Sequence, residues 1–330
     1  MLMRKLIIDA DTGSDDAVAL ILAYRNLKQN QILGVSVVSG NVPLQQAALN
    51  TQYVNELCDI NIPIYKGEDK PLTRDYKEVY SSIEANEIAL SYENFSISAQ
   101  NVHGEDGLGA IGLSPKNKIF KSETAQEFYT KTLKELDSID LVTLGPLTNI
   151  ALLVKNNPDS IHKINHCYIM GGSSNALGNI TKFAEYNFWV DPEAADIVLN
   201  SGIPITMIGW DPSLYDAMIG SEKIIEIDSL NTKYSEFTNK IQINNRKMMQ
   251  EILGEDAYDL PDPLAMAVFL DETIIKDSIE VNVRVDTRDG MTRGGCVLDF
   301  LNLEPEAHKI RVVQRCHQDK FFELLKKSLS

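Results

Sequence analysis

Positive charge is what this chain has least of. Its 31 lysines and arginines stand against 47 aspartates and glutamates, a formal net charge of −16 at pH 7. A general nucleic-acid binder needs a basic surface to neutralise phosphates, so that class is excluded. Cysteine is scarce and scattered: Cys58, Cys167, Cys296 and Cys316 form no C-x-x-C pair. That removes a zinc ribbon and a redox motif and leaves a reduced, cytoplasmic protein as the expectation. No window approaches the ~20 apolar residues of a membrane span, so no membrane partner is expected. The start, Met1-Leu2-Met3-Arg4-Lys5, is followed by three apolar residues before Asp9, too short a run for a signal peptide. Repeats, low-complexity tracts and linkers rich in Pro, Gly or Ser are absent too. The 330 residues are therefore read as one domain over 1–330.

What is there is a regular alternation. Leu6-Ile7-Ile8, Ile32 to Val38, Ile62 to Tyr65, Ile139 to Leu144, Lys163 to Met170 and Ile203 to Trp210 are apolar runs that read as strands. Between them Gln45 to Leu57, Glu123 to Leu136 and the run from Leu147 read as helices. Strands alternating with helices predict an α/β fold: an open, mostly parallel central sheet with helices on both faces, Rossmann-like in outline. Ile279 to Val285 and Lys309 to Val313 look like additional strands, with antiparallel pairing open to them. Residues 68 to 100 are polar and without a strong period, so loops and a short helix are expected there. Asp9 and Asp11, Asn41, Gly145-Pro146, Gly171-Gly172 and Asp211 all follow directly on apolar runs. In open parallel sheets the carboxyl ends of the strands form the ligand crevice, so these residues gather on one rim.

The densest chemistry lies in Asp9-Ala10-Asp11-Thr12-Gly13-Ser14-Asp15-Asp16-Ala17, with four carboxylates in eight residues. Asp15 and Asp16 fall at the start of a helix, where negative charge is favoured. That does not account for Asp9 and Asp11, which strand alternation points to one face. Like charges about 4 Å apart repel by roughly 4 kcal/mol at an effective dielectric near 20. Converging aspartates therefore need protons or a cation, and an all-oxygen set suits Ca²⁺ or Mg²⁺.

This stretch resembles the D-x-D-x-G-x-D-D-A signature of the nucleoside hydrolases, calcium-dependent enzymes that split the N-glycosidic bond of ribonucleosides; Thr12 stands where most members carry Pro. Four later stretches are similar to the family. Leu144-Gly145-Pro146-Leu147-Thr148-Asn149 matches a turn in which the residue before the glycine lends its carbonyl to calcium. Asn179-x5-Glu185-Tyr186-Asn187-x3-Asp191-Pro192-Glu193-Ala194-Ala195 matches the ribose-binding segment, with Asp191-Pro192 read as a structural helix cap. Asp262-Pro263-Leu264-Ala265-Met266-Ala267 matches the late calcium segment, in which Asp262 also reads locally as an N-cap before proline. Asn101-Val102-His103-Gly104-Glu105-Asp106-Gly107-Leu108 resembles the loop beside the base pocket.

The resemblance implies a nucleoside hydrolase fold and a Ca²⁺ ion held by Asp11, Asp16, Asp262 and the Leu144 carbonyl. It implies a water on that ion deprotonated by Asp11, and ribose held by Asp15, Asn41, Asn179, Glu185 and Asn187. It further implies a small nucleoside substrate, a role in salvage and a homodimer or homotetramer. One position departs. The family carries His or an aromatic before the late aspartate, and here Pro261 has no proton to give. His103, Tyr215 and Tyr258 are the candidate acids for the departing base, His103 first because imidazole titrates near neutral pH. Two other readings stand beside hydrolysis. One is a non-catalytic calcium-dependent nucleoside-binding protein; the other is a haloacid dehalogenase-type phosphatase, weakened by Gly13 where that motif wants Thr or Val.

Overall fold

The computed structural model describes residues 4–74, 99–175 and 178–330. Its central sheet has eight strands in the order β3-β2-β1-β4-β5-β6-β12-β9. These are β1 (Leu6–Ala10), β2 (Ile32–Val37), β3 (Ile64–Lys66), β4 (Ile139–Thr143), β5 (Ile164–Met170), β6 (Ile205–Ile208), β9 (Ile275–Val281) and β12 (Ile310–Cys316). Every neighbouring pair is parallel except β12 with β9. Two short antiparallel ribbons lie apart from it: β7 (Met218–Gly220) with β8 (Ala257–Asp259), and β10 (Val283–Val285) with β11 (Cys296–Leu298).

The sheet divides two apolar layers. In β1, Leu6, Ile8 and Ala10 join one layer and Ile7 the other, the two-residue alternation of a strand buried on both faces. Helix α1 (Ser14–Asn26) follows β1 into the first layer, whereas the helix Thr148–Asn156 follows β4 into the second. Successive crossovers thus part to opposite faces between β1 and β4, which opens a crevice at the carboxyl ends of those strands. Helix α1 and the helix Pro261–Leu270 pack against one another and are buried nearly all round. Their sequences are apolar on every side, as a helix enclosed by protein requires. Their N-termini come together at that crevice. No helix among the described residues is long and apolar enough to cross a membrane.

Two expectations need adjustment. The run Ile279 to Val285 is two strands rather than one. Asn282 divides them: its side chain donates to the His308 carbonyl (2.8 Å) and its own carbonyl accepts from Asp299, which carries the chain out of the main sheet. The run ending at Trp210 stops at Ile208, because Gly209 precedes a helix, Trp210–Asp216. Of the irregular stretch 68–100, residues 75–98 lie outside the described residues, and a short helix, Ala99–His103, follows them.

Candidate active site

Four aspartates meet at the end of β1. Asp15, Asp16 and Asp262 each offer a carboxylate oxygen within 4.8 Å of the others, a grouping able to hold a metal ion. Asp11 adjoins them: its amide donates to Asp16 Oδ1 (3.2 Å), and its Oδ2 accepts from the Asn41 amide (2.6 Å). Asp16 Oδ2 is held by the Gly13 amide (2.8 Å) and Asn41 Nδ2 (3.1 Å). Asp11 Oδ1 and Asp262 Oδ2 are buried and have no hydrogen-bond partner among the described residues. Burial first, then the charge of Asp16, pushes the carboxyls of Asp11 and Asp15 well above the carboxylate range. Asp262 is raised likewise by burial and then by Asp15. Burial raises Asp16 as well, against the Gly13 amide that lowers it. Orphaned oxygens in a dry cluster of like charges are a donor set for a hard divalent cation, and the residues present fit one.

Two local readings change here. Asp9 does not share the cluster. It accepts instead from Ser36 Oγ (2.6 Å), Tyr129 Oη (2.9 Å) and Asn149 Nδ2 (2.8 Å), and burial lifts it to about 6. Asp11 lies past the last residue of β1, so strand alternation no longer ties its direction to that of Asp9. Asp262 is not the cap of its helix. The helix starts at Pro261 with Leu260 as N-cap, which leaves the Asp262 carboxylate to the cluster.

A cavity of about 230 Å³ opens above these aspartates. Asp15 and Asp262 reach its wall, while Asp11 and Asp16 lie beneath, fully buried. Asn41, Leu144, Asn179, Glu185 and Asn187 line it too, so the structure brings the expected polar residues together. Asn187 Nδ2 donates to the Leu144 carbonyl (2.7 Å), and its amide donates to Glu185 Oε1 (2.9 Å). Glu185 caps the short helix Tyr186–Val190 and also accepts from the Gly172 amide at 2.8 Å; burial nevertheless pushes its carboxyl up to about 7. Asn179 Oδ1 accepts from the Tyr186 amide (2.8 Å). Asp191 is structural, capping the helix Pro192–Leu199 through Ala194 and accepting from Thr148 Oγ1 (2.7 Å).

His103 lines the same cavity. Its Nδ1 lies 3.3 Å from the Ser14 amide, which donates to it, and 2.9 Å from Ser14 Oγ. Burial depresses its pKa to about 4, so the premise of an imidazole titrating near neutrality does not hold. Asp15 Oδ1 is 3.7 Å away but, its own carboxyl being raised, gives the ring no firm counter-charge. The two tyrosines drop out. Tyr215 is exposed, Tyr258 is fully buried with its hydroxyl donating to Asn239 Oδ1 (2.7 Å), and neither lines the cavity.

The rest of the wall escaped the sequence reading. Asn245, Met248, Met249 and Ile252 line it from one face of the helix Ile243–Leu253, at the i, i+3, i+4, i+7 spacing that marks such a face. Trp210 and Leu214 contribute from the helix Trp210–Asp216, and Asp259 from the end of β8. The helical spacing was there to be read; nothing local marks Asp259.

The model of a family described as inosine-uridine preferring nucleoside hydrolase matches residues 6–323. An inosine-uridine preferring nucleoside hydrolase from Crithidia fasciculata is 30% identical over 326 residues, covering 98% of this chain and 96% of that protein. The pyrimidine-specific ribonucleoside hydrolase RihB of Escherichia coli (strain SE11) is 29% identical over 323 residues, 98% of this chain and 96% of that protein. Among solved structures, a purine-preferring ribonucleoside hydrolase from Gardnerella vaginalis superposes with a TM-score of 0.84 at 27% identity, covering 99% of this chain and 98% of that one.

Proposed function

We infer, since this chain belongs to the inosine-uridine preferring nucleoside hydrolase family, that it hydrolyses ribonucleosides with a calcium ion at the aspartate cluster and Asp11 as the base. Membership carries the coarser activity, a hydrolase acting on the N-glycosidic bond of ribonucleosides. The finer reading rests on one observation: Asp11 Oδ1 and Asp262 Oδ2 are buried without partners beside Asp15 and Asp16. Asp11, Asp16, Asp262 and the Leu144 carbonyl would hold the ion, with Asp15 near enough to join or to bind ribose. When bound, the cation offsets the clustered charge and acidifies water.

The chain's own groups then divide the work. Asp11 keeps Oδ2 on the Asn41 amide, which fixes the carboxylate and leaves Oδ1 as the atom that takes the proton from the attacking water. Water oxygen bonds to C1′ as the C1′–N bond breaks and its electron pair leaves with the base, the sugar passing through an oxocarbenium-like state. Asp15, Asn41, Asn179, Glu185 and Asn187 mix acceptors with donors, as sugar hydroxyls require. The Ser14 amide can only donate, so His103 Nδ1 accepts and the ring proton sits on Nε2, from which a neutral imidazole can hydrogen-bond the departing base. A homodimer or homotetramer is the assembly proposed, supported by the exposed apolar side chains of Phe300, Leu301 and Leu303.

The test is ribose release from a nucleoside panel and from p-nitrophenyl riboside, before chelation, after it, and after Ca²⁺ is restored. Loss followed by recovery supports the reading. Full activity after exhaustive chelation removes the metal from it.

A further inference from the structure

The buried carboxylate of Asp259 stands outside the aspartate grouping and has no part in the mechanism above. It is 4% exposed, at the end of β8, and lines the cavity. Its Oδ1 accepts from Asn245 Nδ2 at 2.9 Å. Asn245, also 4% exposed, is held in that orientation at a cost, since its own Oδ1 is buried without a partner among the described residues. An unpaired buried acceptor is costly, so the pair is arranged to seat the carboxylate rather than to satisfy the amide. No lysine or arginine lines the cavity among the described residues, and the charge of Asp259 is one of the causes that raise the carboxyl of Asp15. Burial raises the Asp259 carboxyl, against the Asn245 side chain that lowers it; the ionised form that Asn245 favours offers only acceptor oxygens, so a ligand that fills the cavity must bring the donor.

The position says which part of a nucleoside that is. Asn245 shares its helix face with Met248, Met249 and Ile252, which make an apolar wall suited to a flat ring. The ribose-facing residues Asn179, Glu185 and Asn187 come from another segment. We propose that Asp259, seated by Asn245, is a specificity-determining residue that reads the base, accepting a hydrogen bond from its lactam N–H. This rests on the nucleoside reading of the cavity. The shared chemistry is a ring N–H beside a carbonyl, N1–H in hypoxanthine and N3–H in uracil, and the two sources are separated by experiment.

Titration calorimetry with hypoxanthine against 1-methylhypoxanthine, and uracil against 3-methyluracil, uses the unmodified protein and needs no variant to fold. In one pair N-methylation should weaken binding about 10- to 100-fold, the range of a lost hydrogen bond to a charged group; the pair that responds names the base class. In Asp259→Ala, or in Asp259→Leu should the alanine variant not fold, that penalty should shrink to within about threefold. The variant should lose more kcat/KM on the responding nucleoside than on p-nitrophenyl riboside, whose leaving group has no lactam. Equal binding of both members of each pair, or no binding of any, overturns the proposal. So does equal loss on p-nitrophenyl riboside and nucleosides, which would move Asp259 to the carboxylate cluster. A protein that discriminates the bases but releases no ribose would sink the hydrolase reading and leave this one standing.

Discussion

The ring of His103 is held by Ser14 through Nδ1, and its burial fixes the ionisation it can have. Because its pKa stands at about 4, the rate should show no His103 break between about pH 5.5 and 8. His103→Ala should lower kcat/KM on inosine by about 10²-fold. It should barely slow p-nitrophenyl riboside, whose leaving group needs no hydrogen-bond donor. Equal slowing of both would make His103 a group that positions the sugar. The same depression has a stability consequence. An unfolded imidazole takes up its proton near pH 6.5, the folded one near 4. In that window the unfolded chain binds more protons, so stability is full above pH 6.5 and falls as pH drops towards 4, by about 3 kcal/mol at most. The buried carboxyls give the chelated protein a slope of the opposite sign, so the His103 share is the difference between the wild type and His103→Asn in urea unfolding from pH 7 to 5: the variant should gain stability relative to the wild type as pH falls.

At the scale of elements, the turns after β2 and β4 close on Asp11 because they are glycine. A Cβ at Gly40 would lie 2.0 Å from Asp11 Oδ2, and one at Gly145 would lie 2.7 Å from Oδ1. Gly40→Ala must therefore displace the base rather than merely crowd it. Calcium affinity should fall by about tenfold or more and ribose release with it, the usual scale for disturbing what orients a ligand, while circular dichroism stays native. Unchanged calcium affinity would take Asp11 out of the cage. The strands and these turns were legible because apolar runs punctuated by glycine are local signals. Elsewhere local signals competed. Asp262 before proline carries a cap signature, yet its carboxylate is drawn to partners on α1, a pull no local pattern contains. Asp259 reads as one more acidic residue in Glu255-Asp256-Ala257-Tyr258-Asp259, and only the packing of β8 on the helix Ile243–Leu253 gives it a position.

Taken whole, the molecule buries its like charges at one point. Asp11, Asp15, Asp16 and Asp262 all have folded pKa values above their unfolded ones. From about pH 4 upward the native apoprotein thus holds more protons than the unfolded chain, and it loses stability as pH rises through the folded values. Chelated protein should melt lower at pH 8 than at pH 5, and calcium at a hundred times its Kd should restore about 2.7 kcal/mol at pH 8. A melting temperature indifferent to chelation at pH 8 would count against the cage. Leu301→Lys should lower the mass seen by light scattering if the exposed apolar run is an assembly face. The cluster also joins α1, near the start of the chain, to the helix Pro261–Leu270, in its last third. During synthesis the first two aspartates of α1 emerge long before Asp262 does, so a nascent or prematurely ended chain has only part of the cage. The cation then favours finished chains over unfinished ones, and its binding energy weighs on the last step of folding rather than the first.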